Sequence, residues 1–127
     1  MAKILVIDDE EQMCSKVKAM LILDNHQVFQ AQDGVVGVQI FYQFQPDLVI
    51  TDINMPNKDG LEVIMELLKY DKNIPIIAMS NCHCSAIDRS NLEIAKMLGA
   101  KEVLLKPFVF QQLQDVIESV CGFRSFI

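Results

Sequence analysis

Charged or hydroxyl side chains directly follow four short apolar runs of the sequence. They are Asp8 and Asp9 after the first run, Asp52 after the third, Ser80 after the fourth and Lys106 after the fifth. Three carboxylates that meet in one pocket repel each other, so the pKa of at least one rises unless a cation is present. A small set of oxygen ligands suits Mg²⁺, which keeps several waters and readily accepts a phosphate oxygen.

A carboxylate in such a pocket can attack phosphorus and form an aspartyl phosphate. Phosphoryl transfer needs charge neutralisation more than acid–base groups, and Mg²⁺, the Lys106 ammonium and the Ser80 hydroxyl would supply it. Taken alone, the acidic run 8–11 is equally well explained as a favourable helix start, and Asp52 as a turn residue. Charged or hydroxyl groups after four of the five apolar runs together favour a phosphoryl site.

Five apolar runs alternate with five segments of helical spacing, and these elements must position the polar side chains. The runs cover residues 4–7, 28–31, 48–50, 76–79 and 103–105. The helical stripes are Met13, Val17, Met20 and Leu21; Val35, Val38, Phe41 and Tyr42; Leu61, Ile64, Met65 and Leu68; Ile94, Ala95 and Leu98; and Leu113, Val116, Ile117 and Val120. Continuous apolar strands between helices predict a parallel sheet covered on both faces, which is a doubly wound, three-layer α/β domain. Ligands of such domains bind beyond the carboxyl ends of the strands.

Length and composition predict a single globular domain. The chain has 127 residues, 51% hydrophobic and 22% charged, with a formal net charge of −6. We expect one domain over 1–127, with its core at 3–121 and a tail or linker start at 122–127. The acidic balance argues against direct binding to nucleic acid or to an anionic membrane. No apolar run approaches the ~18 residues of a membrane span, and residues 4–7 are too few for a signal peptide. We therefore expect a cytoplasmic protein.

Three motifs in combination resemble the receiver domain of bacterial two-component response regulators. They are the first strand with its acidic pair at 4–10, the segment from Asp52 to Gly60, and Gly99–Ala100 followed by the Lys-Pro-Phe triplet at 106–108. The resemblance covers residues 3 to about 121. It implies a flavodoxin-like, CheY-like sheet with strand order 2-1-3-4-5, and a cis peptide bond before Pro107.

The resemblance also implies a role for each matching residue. Asp52 accepts a phosphoryl group from the phosphohistidine of a histidine kinase, with Mg²⁺ as cofactor. Asp9 is a direct ligand of Mg²⁺, Asp8 acts mostly through water, and Asp52 and the backbone carbonyl of Asn54 complete the protein's share of the coordination.

Two further residues, Lys106 and Ser80, are implied to bind the phosphoryl oxygens, and Ser80 also serves as a switch position. Such a protein is a phosphorylation-dependent switch with possible self-dephosphorylation, not a turnover enzyme. Its partners are a histidine kinase or phosphotransfer protein and a downstream output protein or domain. The usual readout surface is helix four, strand five and helix five, roughly 91–98, 103–105 and 109–120, and a homodimer can form through the same face.

Three features depart from the family pattern. Val103 occupies the second switch position, where Tyr or Phe is usual, Asn81 replaces a small residue, and the connection from Ser80 to Gly99 is about four residues longer than usual. These departures motivate an alternative function, a receiver-like module that binds a protein without phosphorylation. A Mg²⁺-dependent phosphohydrolase is disfavoured, because adjacent Asp8 and Asp9 do not form an Asp-x-Asp motif and there is no cap insertion to exclude water.

Two histidines and a cysteine pair offer further chemistry. Cys82, His83 and Cys84 have the donor types of a zinc site, but their number and spacing are wrong for one, so we expect an exposed loop without metal. A redox-labile pair is the less favoured alternative. His26 lies in a turn, and we expect it to be a solvated surface residue.

Overall fold

A computed structural model describes residues 2–81 and 86–121, with the side chains of 86–89 excepted. The loop expected at Cys82–Cys84 and the tail at 122–127 lie outside the described residues. The elements are β1 Lys3–Ile7, α1 Glu11–Leu23, β2 Gln27–Ala31, α2 Gly34–Phe44, β3 Leu48–Asp52, α3 Gly60–Tyr70, β4 Ile76–Asn81, α4 Ala86–Leu98, β5 Glu102–Lys106 and α5 Phe110–Cys121.

The five strands form one parallel sheet in the order β2-β1-β3-β4-β5, which confirms the predicted architecture. Every residue of β3, the central strand, is buried, as expected of a strand covered on both faces. β2 and β5 are the edges, and β2 has no fully exposed face because its residues are mostly half-buried. The carboxyl ends of all five strands therefore lie along one edge of the sheet.

Two apolar cores form on the two faces of the sheet, because successive strand residues point to opposite sides. One core contains Leu5, Val49 and Ile76 from the sheet and is covered by α2, α3 and α4. The other contains Ile4 and Ile50 and is covered by α1 and α5. This arrangement confirms the three-layer prediction. None of the helices in the described residues is long and apolar enough to cross a membrane.

Local side chains fix the starts of two helices. The side chain of Asp33 accepts a hydrogen bond from the Val36 N–H and caps α2. Asp59 and Glu62 form a reciprocal capping box at the start of α3. These caps hold the two helices that flank the loop after β3.

The apolar stripe of α3 differs from the prediction by one position. Val63, Ile64 and Leu67 are buried, whereas Met65 is 49% exposed. Six of the helix's residues are apolar enough to fit either register. The register is set by Gly60, which lies against the backbone of Asp52 and brings the positions three, four and seven residues later to the core. Val35, Tyr42 and Ile94, also expected on core-facing stripes, are likewise exposed.

The prediction for His26 is wrong, because the residue is only 5% exposed. Its Nδ1 accepts a hydrogen bond from the Ala2 N–H at 3.1 Å, and its Nε2 lies 3.3 Å from Asp24 Oδ2. Burial lowers the pKa of His26, and the neighbouring Asp24 carboxylate partly opposes that shift. The imidazole therefore joins the start of β1 to the end of α1.

Candidate functional site

The carboxyl edge of the sheet brings together three of the residues singled out in the sequence. Asp8 directly follows β1, Asp52 is the last residue of β3 and Lys106 is the last residue of β5. Their side chains are 0%, 6% and 3% exposed, respectively. A short strand ending in each charged residue thus places two carboxylates and one ammonium beneath the surface of the same edge.

Lys106 lies at the centre of the cluster. Its Nζ is 2.7 Å from Asp8 Oδ2, 3.1 Å from Glu10 Oε1 and 3.5 Å from Asp52 Oδ1. Burial disfavours the charged ammonium, but the hydrogen bond to Asp8 and the charge of Asp52 outweigh it and raise the pKa of Lys106. The lysine is therefore a fixed cation within reach of both buried carboxylates.

Glu10 is a member of the cluster that the sequence did not single out. Its backbone N–H donates to Asp8 Oδ1 at 2.9 Å, and its side chain, more than half exposed, reaches Lys106. Burial raises the pKa of Asp8, while Lys106 and the Glu10 N–H oppose that shift. The only sequence signal for Glu10 was its place in the acidic run 8–11, which equally indicates a helix start.

Asp52 has the most perturbed carboxyl group of the cluster. Burial raises its pKa from 3.8 to about 7; Lys106 opposes the shift, and the charges of Asp8 and Asp9 add to it. A carboxyl group at this pKa is only partly ionised at neutral pH without a further cation. The cluster therefore has more negative charge than Lys106 alone compensates.

The carboxylates have a donor set that fits a hard divalent cation. One oxygen each from Asp8, Glu10 and Asp52 lies within 4.8 Å of the others. A set of oxygen donors only, with a raised carboxyl pKa that a cation would lower, suits Mg²⁺. Asp9 is exposed and outside this group, although its charge acts on Asp52. The assignment of Asp9 as a direct ligand stays a prediction.

Three other predicted positions lie around this cluster. Ser80 is buried near the end of β4, and its hydroxyl is 3.5 Å from the carbonyl oxygen of Asn81. Asn81 pairs with Lys106 in the β4–β5 register and is exposed. Asn54 is exposed in the loop that follows Asp52. The peptide bond between Lys106 and Pro107 is cis, as the resemblance implies.

The loop after β3 is held against the strand by Gly60. Its N–H donates to the carbonyl of Ile53 at 2.7 Å, and a Cβ at this position would lie 2.1 Å from the carbonyl oxygen of Asp52. Backbone atoms cannot rotate away from such a clash. The close approach therefore fixes the position of Asp52 relative to the start of α3.

Gly60→Ala is expected to lower the free energy of unfolding by about 1–3 kcal/mol, the usual range for overpacking. Gly37→Ala is the matched control, since a Cβ there meets the side chain of Ile7 rather than backbone. Alanine in mid-helix also gains about 1 kcal/mol of helix propensity. Urea denaturation of both variants and the wild type checks this, and a Gly60→Ala variant as stable as the wild type would show that the contact at Gly60 is relieved without cost.

Val103, the second predicted switch position, is half-buried in β5 and packs against the core under α4. It lines a hollow of about 270 Å³ with Leu92, Glu93 and Lys96. Its side chain has no polar atom, so it cannot form a hydrogen bond with any group of the site. Val103 therefore lies in β5 beside α4, with open space next to its side chain.

Known proteins share this sequence pattern and this fold. The family model for the response regulator receiver domain matches residues 4–118. Sporulation initiation phosphotransferase F of Bacillus subtilis is 28% identical over 123 residues, which cover 97% of this chain and 96% of that protein. Chemotaxis protein CheY of the same organism is 32% identical over 120 residues, 93% of each chain. The chain spans about half the length of several transcriptional regulators that it also matches.

A solved structure extends the comparison to the metal. It is the receiver domain of sensor histidine kinase PA1611 from Pseudomonas aeruginosa, described with a magnesium ion coordinated in its active-site cleft. It is 25% identical to this chain with a TM-score of 0.85, and the match covers 96% of this chain and 98% of that one. With the buried Asp8, Asp52 and Lys106 at the carboxyl edge of a 2-1-3-4-5 sheet, these matches show that the chain belongs to the family of response regulator receiver domains.

Proposed function

We propose that Asp52 accepts a phosphoryl group from the phosphohistidine of a histidine kinase or phosphotransfer protein. The observation that carries the proposal is the buried ammonium of Lys106, which lies within 3.5 Å of both the Asp8 and Asp52 carboxylates. An Asp52 oxygen attacks phosphorus, the P–N bond breaks, and its electron pair returns to the imidazole, which takes up a proton from solvent.

The acidic cluster would hold Mg²⁺ for this reaction. Asp8 and Asp52 are buried, an oxygen of Glu10 lies close to theirs, and the exposed Asp9 acts on Asp52 through its charge. The resemblance adds the backbone carbonyl of Asn54. When bound, the ion supplies positive charge to carboxylate and phosphoryl oxygens. It also favours the ionised form of Asp52, whose pKa of about 7 otherwise leaves a large fraction of the nucleophile protonated at neutral pH.

Lys106 and Ser80 would bind the transferred group. The Lys106 ammonium is already close to Asp52 Oδ1, so a short movement away from Glu10 brings it to a phosphoryl oxygen. Ser80 is buried near the end of the neighbouring strand, and its hydroxyl makes one long contact with the described residues, at 3.5 Å to the Asn81 carbonyl. A hydroxyl without a short hydrogen bond can turn toward a new acceptor at little cost.

The same proposal makes the protein a switch rather than a turnover enzyme, with self-dephosphorylation as its only catalytic step. Its readout surface would be α4, β5 and α5, where Met97 is 85% exposed, Val109 63% and Leu105 45%. An output protein, an output domain or a second copy would bind there. We place the protein in the cytoplasm, where ATP-dependent kinases supply phosphohistidine.

Val103 supports a second candidate function, a module that binds its partner without phosphorylation. Because its side chain is aliphatic and lies beside a hollow of about 270 Å³, the Val103 position offers no polar group through which it could sense a phosphoryl group. The charged cluster argues against this candidate, because buried carboxylates destabilise a scaffold that has no use for them.

Intact-mass measurement after incubation with acetyl phosphate and Mg²⁺ tests the proposal. We expect one phosphoryl adduct, lost in Asp52→Asn and in the presence of a chelator. Asp71→Asn, which removes an exposed carboxylate, is the matched control and should still form the adduct. No adduct, together with no binding of beryllofluoride under conditions where Mg²⁺ binding is measured separately, would contradict the proposal and favour the phosphorylation-independent module.

A further inference from the structure

The outer face of α3 is exposed and has no role in the proposed phosphoryl chemistry. Glu62, Met65 and Lys69 point away from the buried face formed by Val63, Ile64 and Leu67. Together with Lys58 and Glu66, the three exposed residues line a surface hollow of about 440 Å³. We refer to these five lining residues as the α3 face.

Charges on the α3 face are arranged symmetrically in a way that matches a second copy. Glu62 and Lys69 lie equally far on either side of a point midway between Met65 and Glu66. A two-fold axis through that point and across the helix axis would place the Glu62 of one copy opposite the Lys69 of the other. Because such an interface repeats each contact, two Glu–Lys pairs form at once.

We propose that a second copy of this chain packs on the α3 face, with the two α3 helices antiparallel. Met65, 49% exposed, would lie beside the axis and meet the Met65 of the second copy inside the hollow. An unbranched thioether adapts to irregular space, and methionine is enriched at protein interfaces.

Glu62 and Lys69 have no ion-pair partner among the residues that the structure describes. They are seven residues apart in the helix, about 10 Å, which is too far for an ion pair. The side chain of Glu62 accepts one hydrogen bond, from the Asp59 N–H at 3.2 Å, and its second oxygen stays available.

In the proposed dimer the two Glu66 side chains come close to the two-fold axis, and two uncompensated negative charges there would repel each other. Within each copy, Lys58 forms an ion pair with Glu66, and the Tyr42 hydroxyl donates a hydrogen bond to it at 3.3 Å. This fixed local neutralisation removes most of the repulsion between the two glutamates. The α3 face therefore presents complementary charges at both ends and a neutral centre.

The interface is small, so the dimer should be weak and sensitive to salt. One eleven-residue helix per copy buries an area at the low end of specific interfaces. Exposed ion pairs are screened within about 8 Å at physiological ionic strength. The α3 face shares no residue with the α4–β5–α5 surface, and the pairing does not depend on phosphorylation of Asp52.

Sedimentation equilibrium of the full chain from micromolar to millimolar concentration tests the inference. Lys69→Glu places a glutamate opposite Glu62 at both ends of the interface. The repulsion between these like charges should weaken self-association about tenfold or more. Glu62→Lys should do the same, with circular dichroism used to check that α3 stays folded without its capping box. Lys16→Glu, an exposed lysine on α1, is the matched charge control and should leave the dimer unchanged.

An equimolar mixture of Glu62→Lys and Lys69→Glu provides a sharper result. In the mixed pair every contact joins opposite charges again, so the two variants should associate with each other more tightly than either does with itself. A monomeric wild-type chain at millimolar concentration would overturn the inference. So would self-association that neither charge reversal alters, which is the result expected for a dimer through α4, β5 and α5.

Discussion

Replacing Lys106 by methionine should lower the free energy of unfolding of the metal-free protein by about 3–5 kcal/mol at pH 8, the usual cost of breaking a buried ion pair. The ammonium is 3% exposed and lies within 4 Å of both Asp8 and Asp52. Methionine preserves most of the aliphatic length, so the loss reflects charge rather than packing. The two carboxylates would remain buried and repel each other without compensation.

Urea denaturation in a chelating buffer measures this loss, with Lys101→Met as the control for an exposed lysine. Added Mg²⁺ should restore part of the stability, because a ligand that binds the folded state stabilises it by mass action. The deficit should also shrink at low pH, where the carboxylates are protonated. A loss no larger than that of the control, or one that Mg²⁺ does not reduce, would show that the lysine does not balance the cluster.

The sequence predicted the sheet and the location of the site because both depend on simple patterns. Continuous apolar runs between helices leave few alternatives to a parallel, doubly wound sheet. In such a sheet the strand ends share one edge, so Asp8, Asp52 and Lys106 had to lie near each other. Their separation in the sequence is no obstacle, since the topology brings them together.

The details that escaped prediction depend on tertiary packing. In the sequence, Glu10 looks like any acidic residue at the start of a helix. Its partner, Lys106, comes close to it only in the folded chain. The register of α3 depends on how closely Gly60 approaches the backbone of Asp52. His26 is polar and follows a turn, but the end of α1 and the start of β1 enclose it. Local sequence does not contain any of these neighbours.

The mispredicted face of α3 has a functional consequence. Met65 was assigned to the core on helical spacing and is instead the centre of the exposed α3 face. In the register that the structure shows, Val63 and Leu67 are buried, and Glu62 and Lys69 are exposed on the opposite side of the helix. The surface on which the dimer proposal rests was therefore not visible in the apolar pattern alone.

Asp52→Asn should raise the free energy of unfolding of the metal-free protein by about 2–4 kcal/mol at pH 8, and by little at pH 4. The folded-state pKa of Asp52 is about 7, well above 3.8, because burial and the charges of Asp8 and Asp9 disfavour its ionisation. A carboxyl group with a raised folded pKa contributes most to stability below its unfolded pKa, and that contribution is lost as the pH rises toward 7. Asparagine does not ionise, so the variant avoids this loss, while Lys106 keeps Asp8 and Glu10 as partners.

Thermal or urea unfolding of the wild type and Asp52→Asn at pH 4, 6 and 8 in a chelating buffer measures the difference directly. The gain should grow steadily over this range, and Asp71→Asn, an exposed carboxylate, should show no such trend. Mg²⁺ should reduce the gain at pH 8, because it stabilises the wild type more than a variant that has lost one anionic ligand. A gain that is the same at every pH, or a destabilised variant at pH 8, would mean that the pocket does not disfavour the ionised form of Asp52. Such a result would also remove the physical reason for expecting the nucleophile to depend on the metal.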